Sequence, residues 1–144
     1  MIEQDTIRLL RECDAGVKMG IASIEDVLGY VKSSSLKKFL EDCKAEHVEL
    51  EAELQKLLDK YGDEGKNPNP VAKGMSAIKT NFKIAMNESD EVIADLMTDG
   101  CNMGVKSLNK YLNEYEAADE QSKDITKRLI NLEERLAIDI RRFL

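Results

Sequence analysis

The sequence predicts an all-α fold: a bundle of four long helices of similar length, with one shorter helix crossing over between the second and the third. Three observations carry this. Apolar residues recur at alternating steps of three and four along several stretches, the spacing that lays one apolar stripe on a helix. Val and Ile never alternate with polar residues over a strand length. The two prolines and two glycines concentrate in one linker, Gly62 to Pro70, the clearest loop in the chain.

The 144 residues fit one domain, 1–144. Its first helix is expected over 5–32, with Ile7, Leu10, Asp14, Val17, Ile21, Ile24, Leu28 and Val31 on one seam. Asp14 is a carboxylate where an apolar residue is expected. Ser33 to Ser35 break the helix, and Ser34 or Ser35 is the expected N-cap of the next. So short a break makes the first two helices antiparallel neighbours. The second helix, 35–61, carries Leu36, Leu40, Cys43, His47, Leu50, Leu54, Leu57 and Tyr61 on its seam. Its length is about 39 Å at about 1.5 Å per residue. Gly62 is a natural left-handed residue just past its end.

Residues 71–116 hold no proline, but Asn87-Glu88-Ser89-Asp90 reads as an N-cap followed by acidic first-turn residues. The region therefore divides into a short helix, 71–86, and a third long helix, 88–116, with Ile93, Met97, Cys101 and Leu108 inward. A turn at Ala117 to Glu120 leads into the fourth helix, 121–144, burying Ile125, Leu129, Leu132, Leu136, Ile140 and Phe143. The short helix has the length to carry the chain back along the bundle. The second and third long helices then run parallel, the ferritin-like arrangement rather than up-down-up-down. A weak repeat accompanies it: Cys13-Asp-Ala-Gly-Val-Lys18 recurs as Cys101-Asn-Met-Gly-Val-Lys106. Gly16 with Gly20, and Gly100 with Gly104, each sit inside a helix at a cost of up to ~1 kcal/mol per glycine. Close backbone approach of the first and third helices is the expected compensation.

A net charge of −7 argues against nucleic-acid binding, which needs a cationic face, and against anionic membranes. No apolar run approaches the ~20 residues that cross a bilayer, and the N-terminus lacks the pattern of a signal peptide. Three well-separated cysteines read as reduced, cytoplasmic thiols.

Chemistry centres on His47, the only histidine. Ferritin-like carboxylate proteins hold two metals with a Glu from each of two helices and Glu-x-x-His from each of the other two. Here Lys44 stands three before His47, and the fourth helix offers Glu133, Glu134 and Asp139 without a histidine. The complete di-iron ligand set is absent. Two readings remain. Asp14, Cys43, His47 and Cys101 are candidate ligands for a single transition-metal ion, a mixture of O, S and N donors. Alternatively His47 pairs with Asp14 as a satisfied buried couple fixing register, with both cysteines as small apolar residues. A redox-sensing pair, Cys43 with Cys101, needs a partly exposed thiol of lowered pKa. No nucleophile motif and no phosphate-binding loop is present. Glu46, Glu49, Glu51 and Glu53 spread around the second helix as a solvated flank.

Ser35-Leu-Lys-Lys-Phe-Leu40, Ala45-Glu-His47, Leu50-x-x-x-Leu54 and Tyr61-Gly62 together resemble a bacterial family of ferritin-like four-helix proteins of unknown function. Met75 to Lys83, with its aromatic Phe82, resembles that family's crossover helix, and Asp99 to Tyr111 its third helix. The likeness runs from about Ile7 to Phe143. The family often has Glu where this chain has Cys101 or Asn102, a departure that tells against an inherited metal site. The resemblance implies a fold and no activity. The expected function is that of a non-catalytic structural or interaction protein, acting through association, with a homodimer as the expected partner state. The alternative is a metal-binding or oxidoreductase remnant near Asp14 and His47.

Overall fold

The computed structural model describes residues 2–68 and 89–144. These residues form four α-helices and no strand: α1 (Ile2–Leu28), α2 (Ser34–Lys60), α3 (Asp90–Glu114) and α4 (Glu120–Asp139), closed by a 3-10 turn at Ile140–Phe143. The predicted crossover helix at 71–86 lies outside the described residues. Helix α1 ends at Leu28, four residues before its expected limit, where Tyr30 N–H turns back to the Val27 carbonyl at 3.0 Å. The cap of α2 is Ser33, not Ser34 or Ser35; its hydroxyl accepts from Leu36 N–H at 3.3 Å. Ser89 caps α3 through Val92 N–H, and Asp119 caps α4 through Ser122 N–H at 2.8 Å. The fourth helix loses its α form at Asp139 rather than running to the C-terminus.

Hydrogen bonds at the two ends fix the helix directions. The Asp90 carboxylate accepts from Lys32 N–H at 2.8 Å and Ser33 N–H at 2.9 Å. The start of α3 is thereby pinned to the corner from which α2 also starts. At the other end, Thr6 Oγ1 accepts from Asp119 N–H at 2.8 Å, and Tyr61 Oη donates to Asp119 at 3.1 Å. The starts of α1 and α4 and the finish of α2 therefore meet there. Helices α1 and α2 form one closely packed hairpin and α3 and α4 another; α1 also touches α3 and α4, and α2 touches α4.

The buried side chains divide into two apolar clusters stacked along the bundle. One holds Ile24, Leu36, Leu40, Ile93, Met97 and Leu136; the other holds Leu10, Val17, Leu54, Leu108, Ile125 and Leu129. The α2 seam is buried as its spacing requires, with Leu58 replacing Leu57 at the last turn. On α1 the seam is turned slightly: Leu9, Cys13 and Val27 are buried, and Ile7 and Ile21 lie at its edge.

Asp14 secures the loop that follows α2. Its carboxylate is fully buried, and accepts from Lys18 Nζ at 2.8 Å, Gln55 Nε2 at 3.3 Å and Lys66 N–H at 3.0 Å. Arg11 forks onto Asp63 beside it, and Asp63 accepts from Gly65 N–H at 2.9 Å. Gly65 adopts a left-handed φ of +85°, and a Cβ there would collide with the Asp14 carboxylate. Gly62 is also left-handed, at +65°, but among the described residues nothing lies within 4 Å of where its Cβ would stand. A left-handed non-glycine residue costs roughly 1–2 kcal/mol by itself. Gly62→Ala is expected to lose about 1 kcal/mol, and Gly65→Ala at least about 1 kcal/mol more, because the clasp on Asp14 must also open. Urea unfolding midpoints of the two variants against wild type measure the difference.

Candidate functional site: a polar layer at mid-bundle

Between the two apolar clusters lies one layer to which all four helices contribute. His47 on α2 is fully buried, and Glu133 on α4 is 8% exposed. His47 Nδ1 lies 2.7 Å from the Cys43 carbonyl oxygen, one turn back on its own helix. A carbonyl only accepts, so Nδ1 carries a proton and donates. His47 Nε2 lies 2.6 Å from Glu133 Oε1. Facing an acceptor at each nitrogen, the ring is satisfied on both sides as an imidazolium donating to a carbonyl and a carboxylate. Burial, the largest influence, pulls the imidazole pKa down. The bond and charge of Glu133, the Cys43 carbonyl and the charge of Glu46 together outweigh it, and the net shift is upward.

Helix α1 makes room for this pair with a glycine. A Cβ on Gly20 would lie 2.9 Å from both Cδ2 and Nε2 of His47 and 3.3 Å from Glu133 Oε1. On α3, Gly104 faces Glu133 Oε2, 3.8 Å from where its Cβ would stand. The atoms nearest a Cβ at Gly16, Gly20 and Gly104 belong to side chains: Leu108 and Leu129 for Gly16, His47 for Gly20 and Glu133 for Gly104. Gly20 admits an imidazole ring, and among the described residues nothing lies within 4 Å of where a Cβ on Gly100 would stand.

Cys101 on α3 packs beside Glu133. Burial first, then the charge of Glu133 and a hydrogen bond to it, raise this thiol far above its usual range. Burial likewise pushes the Cys43 and Cys13 thiols up to about 12. All three cysteines are free and buried. A sensor thiol needs exposure and a lowered pKa; these have neither.

Of the four residues singled out in the sequence, the layer gathers Cys43, His47 and Cys101. Asp14 stands apart. It lies six residues before Gly20 on α1, about 9 Å along the axis at 1.5 Å per residue, and its bonds go to the loop clasp. The antiparallel partner confirms the spacing: Asp14 meets Gln55, eight residues beyond His47 on α2. The buried partner of His47 is thus Glu133, not Asp14. Among the described residues, no group of three or more His, Cys, Asp or Glu side chains is arranged to hold a metal ion. No helix among them is long and apolar enough to cross a membrane.

Glu133 and Gly20 are the residues that the seam reading passed over, though both obey its spacing. Leu129, Glu133, Leu136 and Ile140 are spaced four, three and four; Val17, Gly20, Ile24 and Val27 are spaced three, four and three. Comparison with known proteins adds no assignment: no family model, curated protein or solved structure matches this chain.

Two outcomes follow from the geometry. An alanine normally improves a helix interior by up to ~1 kcal/mol over glycine. Gly100→Ala, which meets no neighbour among the described residues, is expected to stabilise by that order. Gly20→Ala is expected to destabilise by about 1–3 kcal/mol, because its methyl displaces the buried pair. Thermal unfolding of both variants shows whether the signs oppose. The second outcome concerns pH. A raised imidazole pKa contributes stability that is fully present below the ordinary value of 6.5 and is lost as pH rises through the folded value. The stability difference between wild type and His47→Gln is therefore expected to shrink as pH rises above the ordinary imidazole value of 6.5. Glu133→Gln, which keeps an acceptor and removes the charge, removes most of that dependence. A difference constant over this range would mean a neutral His47.

Proposed function

We propose that the chain is a non-catalytic, ferritin-like bundle of the cytoplasm that acts through association at its surface, and that its mid-bundle polar layer is structural. One observation carries this reading: both ring N–H groups of His47 are used inside the bundle, on the Cys43 carbonyl and on Glu133. An acid–base or nucleophilic group must reach a substrate atom. The grooves at the α2–α4 face and at the Ser34–Phe39 end are lined by neither His47 nor Glu133. The ferritin-like topology is supported by the shared corner from which α2 and α3 both start, which makes these two helices parallel. The resemblance of 35–62 and 99–111 to the ferritin-like family points the same way.

A second reading, the metal-binding remnant, is favoured by one feature. Imidazoles that ligate metals are commonly held by a carbonyl on the other nitrogen. The Cys43 carbonyl holds Nδ1 in that way and directs Nε2 at Glu133, with Cys101 alongside. Asp14 would not belong to such a site. An ion there would have to displace the proton that His47 and Glu133 share.

Elemental analysis of untagged protein, purified without chelator, separates the two readings when paired with His47→Ala. The structural reading expects no bound transition metal. It also expects the variant to lose about 3–5 kcal/mol, as when one partner of a buried ion pair is removed. Near-stoichiometric metal in the wild type that disappears in the variant would replace it with the metal-site reading.

A further inference from the structure

The groove between α2 and α4 is lined by the buried Leu50 and Leu132 and by a charged rim. Glu53 pairs with Arg128, and Glu46 pairs with Arg135. The two glutamates are seven residues apart on α2, and the two arginines seven apart on α4. The two helices are antiparallel, so the pairs form a ladder one heptad long with Glu49 and Asn131 between its rungs. These rungs are not spent. The side chains of Arg128, Glu53, Arg135 and Glu46 remain 50%, 48%, 61% and 47% exposed while paired. Among the described residues, Glu49 makes no ion pair or hydrogen bond.

This face is complementary to itself. A two-fold axis along the groove, parallel to the helices, exchanges α2 and α4 between two copies without changing the level of any residue. Glu46 of one copy then stands over Arg135 of the other, and Glu53 over Arg128, at the levels where they already pair within one chain. Each arginine carries five N–H donors in a planar fork, enough for a carboxylate from each copy. Leu50 and Leu132 lie between the rungs at the axis. A closed interface of this kind uses one patch twice.

We propose that the α2–α4 groove is where a second copy of this chain docks, through Glu46 and Glu53 of each copy on Arg135 and Arg128 of the other. This rests on the association reading above and names its partner and surface. The net charge of −7 on each copy opposes dimerisation at long range, so local complementarity on this face has to overcome it.

The test is sedimentation equilibrium on the full chain, with Glu46→Arg and Arg135→Glu made separately. Wild type is expected to show a concentration-dependent dimer that weakens as salt rises from about 0.1 M to about 1 M. Each variant alone places like charges together both within a copy and between copies. Its dimer dissociation constant is expected to rise at least about tenfold while its helical circular dichroism is kept. Mixed together, the two variants remain mismatched within each chain but match across the interface, so the mixture is expected to form a heterodimer. That recovery separates the interface from a defect inside one bundle. A monomeric wild type at high concentration overturns the proposal, as does a groove that captures only a helix from another protein. Dimerisation undiminished by either variant also overturns it, while leaving association through another surface standing. Two helical variants that fail to recover on mixing overturn it as well.

Discussion

The bond between His47 and Glu133 is the interaction on which the arrangement of the two helical hairpins depends. It links α2 to α4, and so one hairpin to the other, at 2.6 Å inside the bundle. Removing two charges from water is expensive, and a buried pair is often no more stabilising than an apolar pair of the same volume. Its contribution is better understood as specificity. The α2 seam repeats nearly every heptad, from Leu36 through Leu40 and Cys43 to Leu50, Leu54 and Leu58. A slip of one heptad along α4 would still bring apolar residues together almost everywhere. It would part His47 Nε2 from the Glu133 carboxylate and leave each without the other inside the bundle. The polar layer thus makes one register much better than its neighbours, while the clusters above and below supply most of the apolar burial.

A second constraint sits six residues before Gly20 on α1, where Asp14 holds the loop after α2. Both sites place a carboxylate on a nominally apolar seam and surround it with donors. They differ in reach. Glu133 joins two hairpins, whereas Asp14 closes one hairpin upon itself through Lys66 and Gln55. In each, a glycine stands where a Cβ would intrude, Gly20 against the imidazole and Gly65 against Asp14. The chain accepts glycine at these points because the polar group needs the space. Gly16 does face α3, through the Leu108 side chain, whereas the neighbour that needs Gly20 small is His47 of α2.

Much of the fold was legible because helical periodicity is a one-dimensional signal. The α2 seam could be read almost residue by residue, and His47 could be placed in the core. The partner of His47 could not, since a seam states which face is buried and not which level of another helix lies opposite. Asp14 looked suitable because it broke an apolar stripe; Glu133 was hidden because Leu132 beside it offered an apolar alternative. Buried carboxylates are uncommon, so the reading preferred the leucine, and the structure buries both. The glutamates of α2 likewise spread around the helix when α2 is considered alone. Glu46 and Glu53 are one heptad apart, and Arg128 and Arg135 answer them only once α4 is laid antiparallel alongside.

That antiparallel placement explains the row of ion pairs between α2 and α4. Within each hairpin, helices are adjacent along the chain and close on one another through dense apolar packing. Between α2 and α4 no short loop fixes alignment, so alignment has to come from side chains. The buried pair of His47 and Glu133 sets the level, and the rungs Glu46–Arg135 and Glu53–Arg128 bracket it on the outside. Exposed rungs contribute little stability, about 0–1 kcal/mol each. They do keep this seam charged and hydrated where an apolar edge would be sticky. The centre of the bundle is therefore closed around its own charges, and the charge pattern that remains open to other molecules lies directly outside it, in the same register.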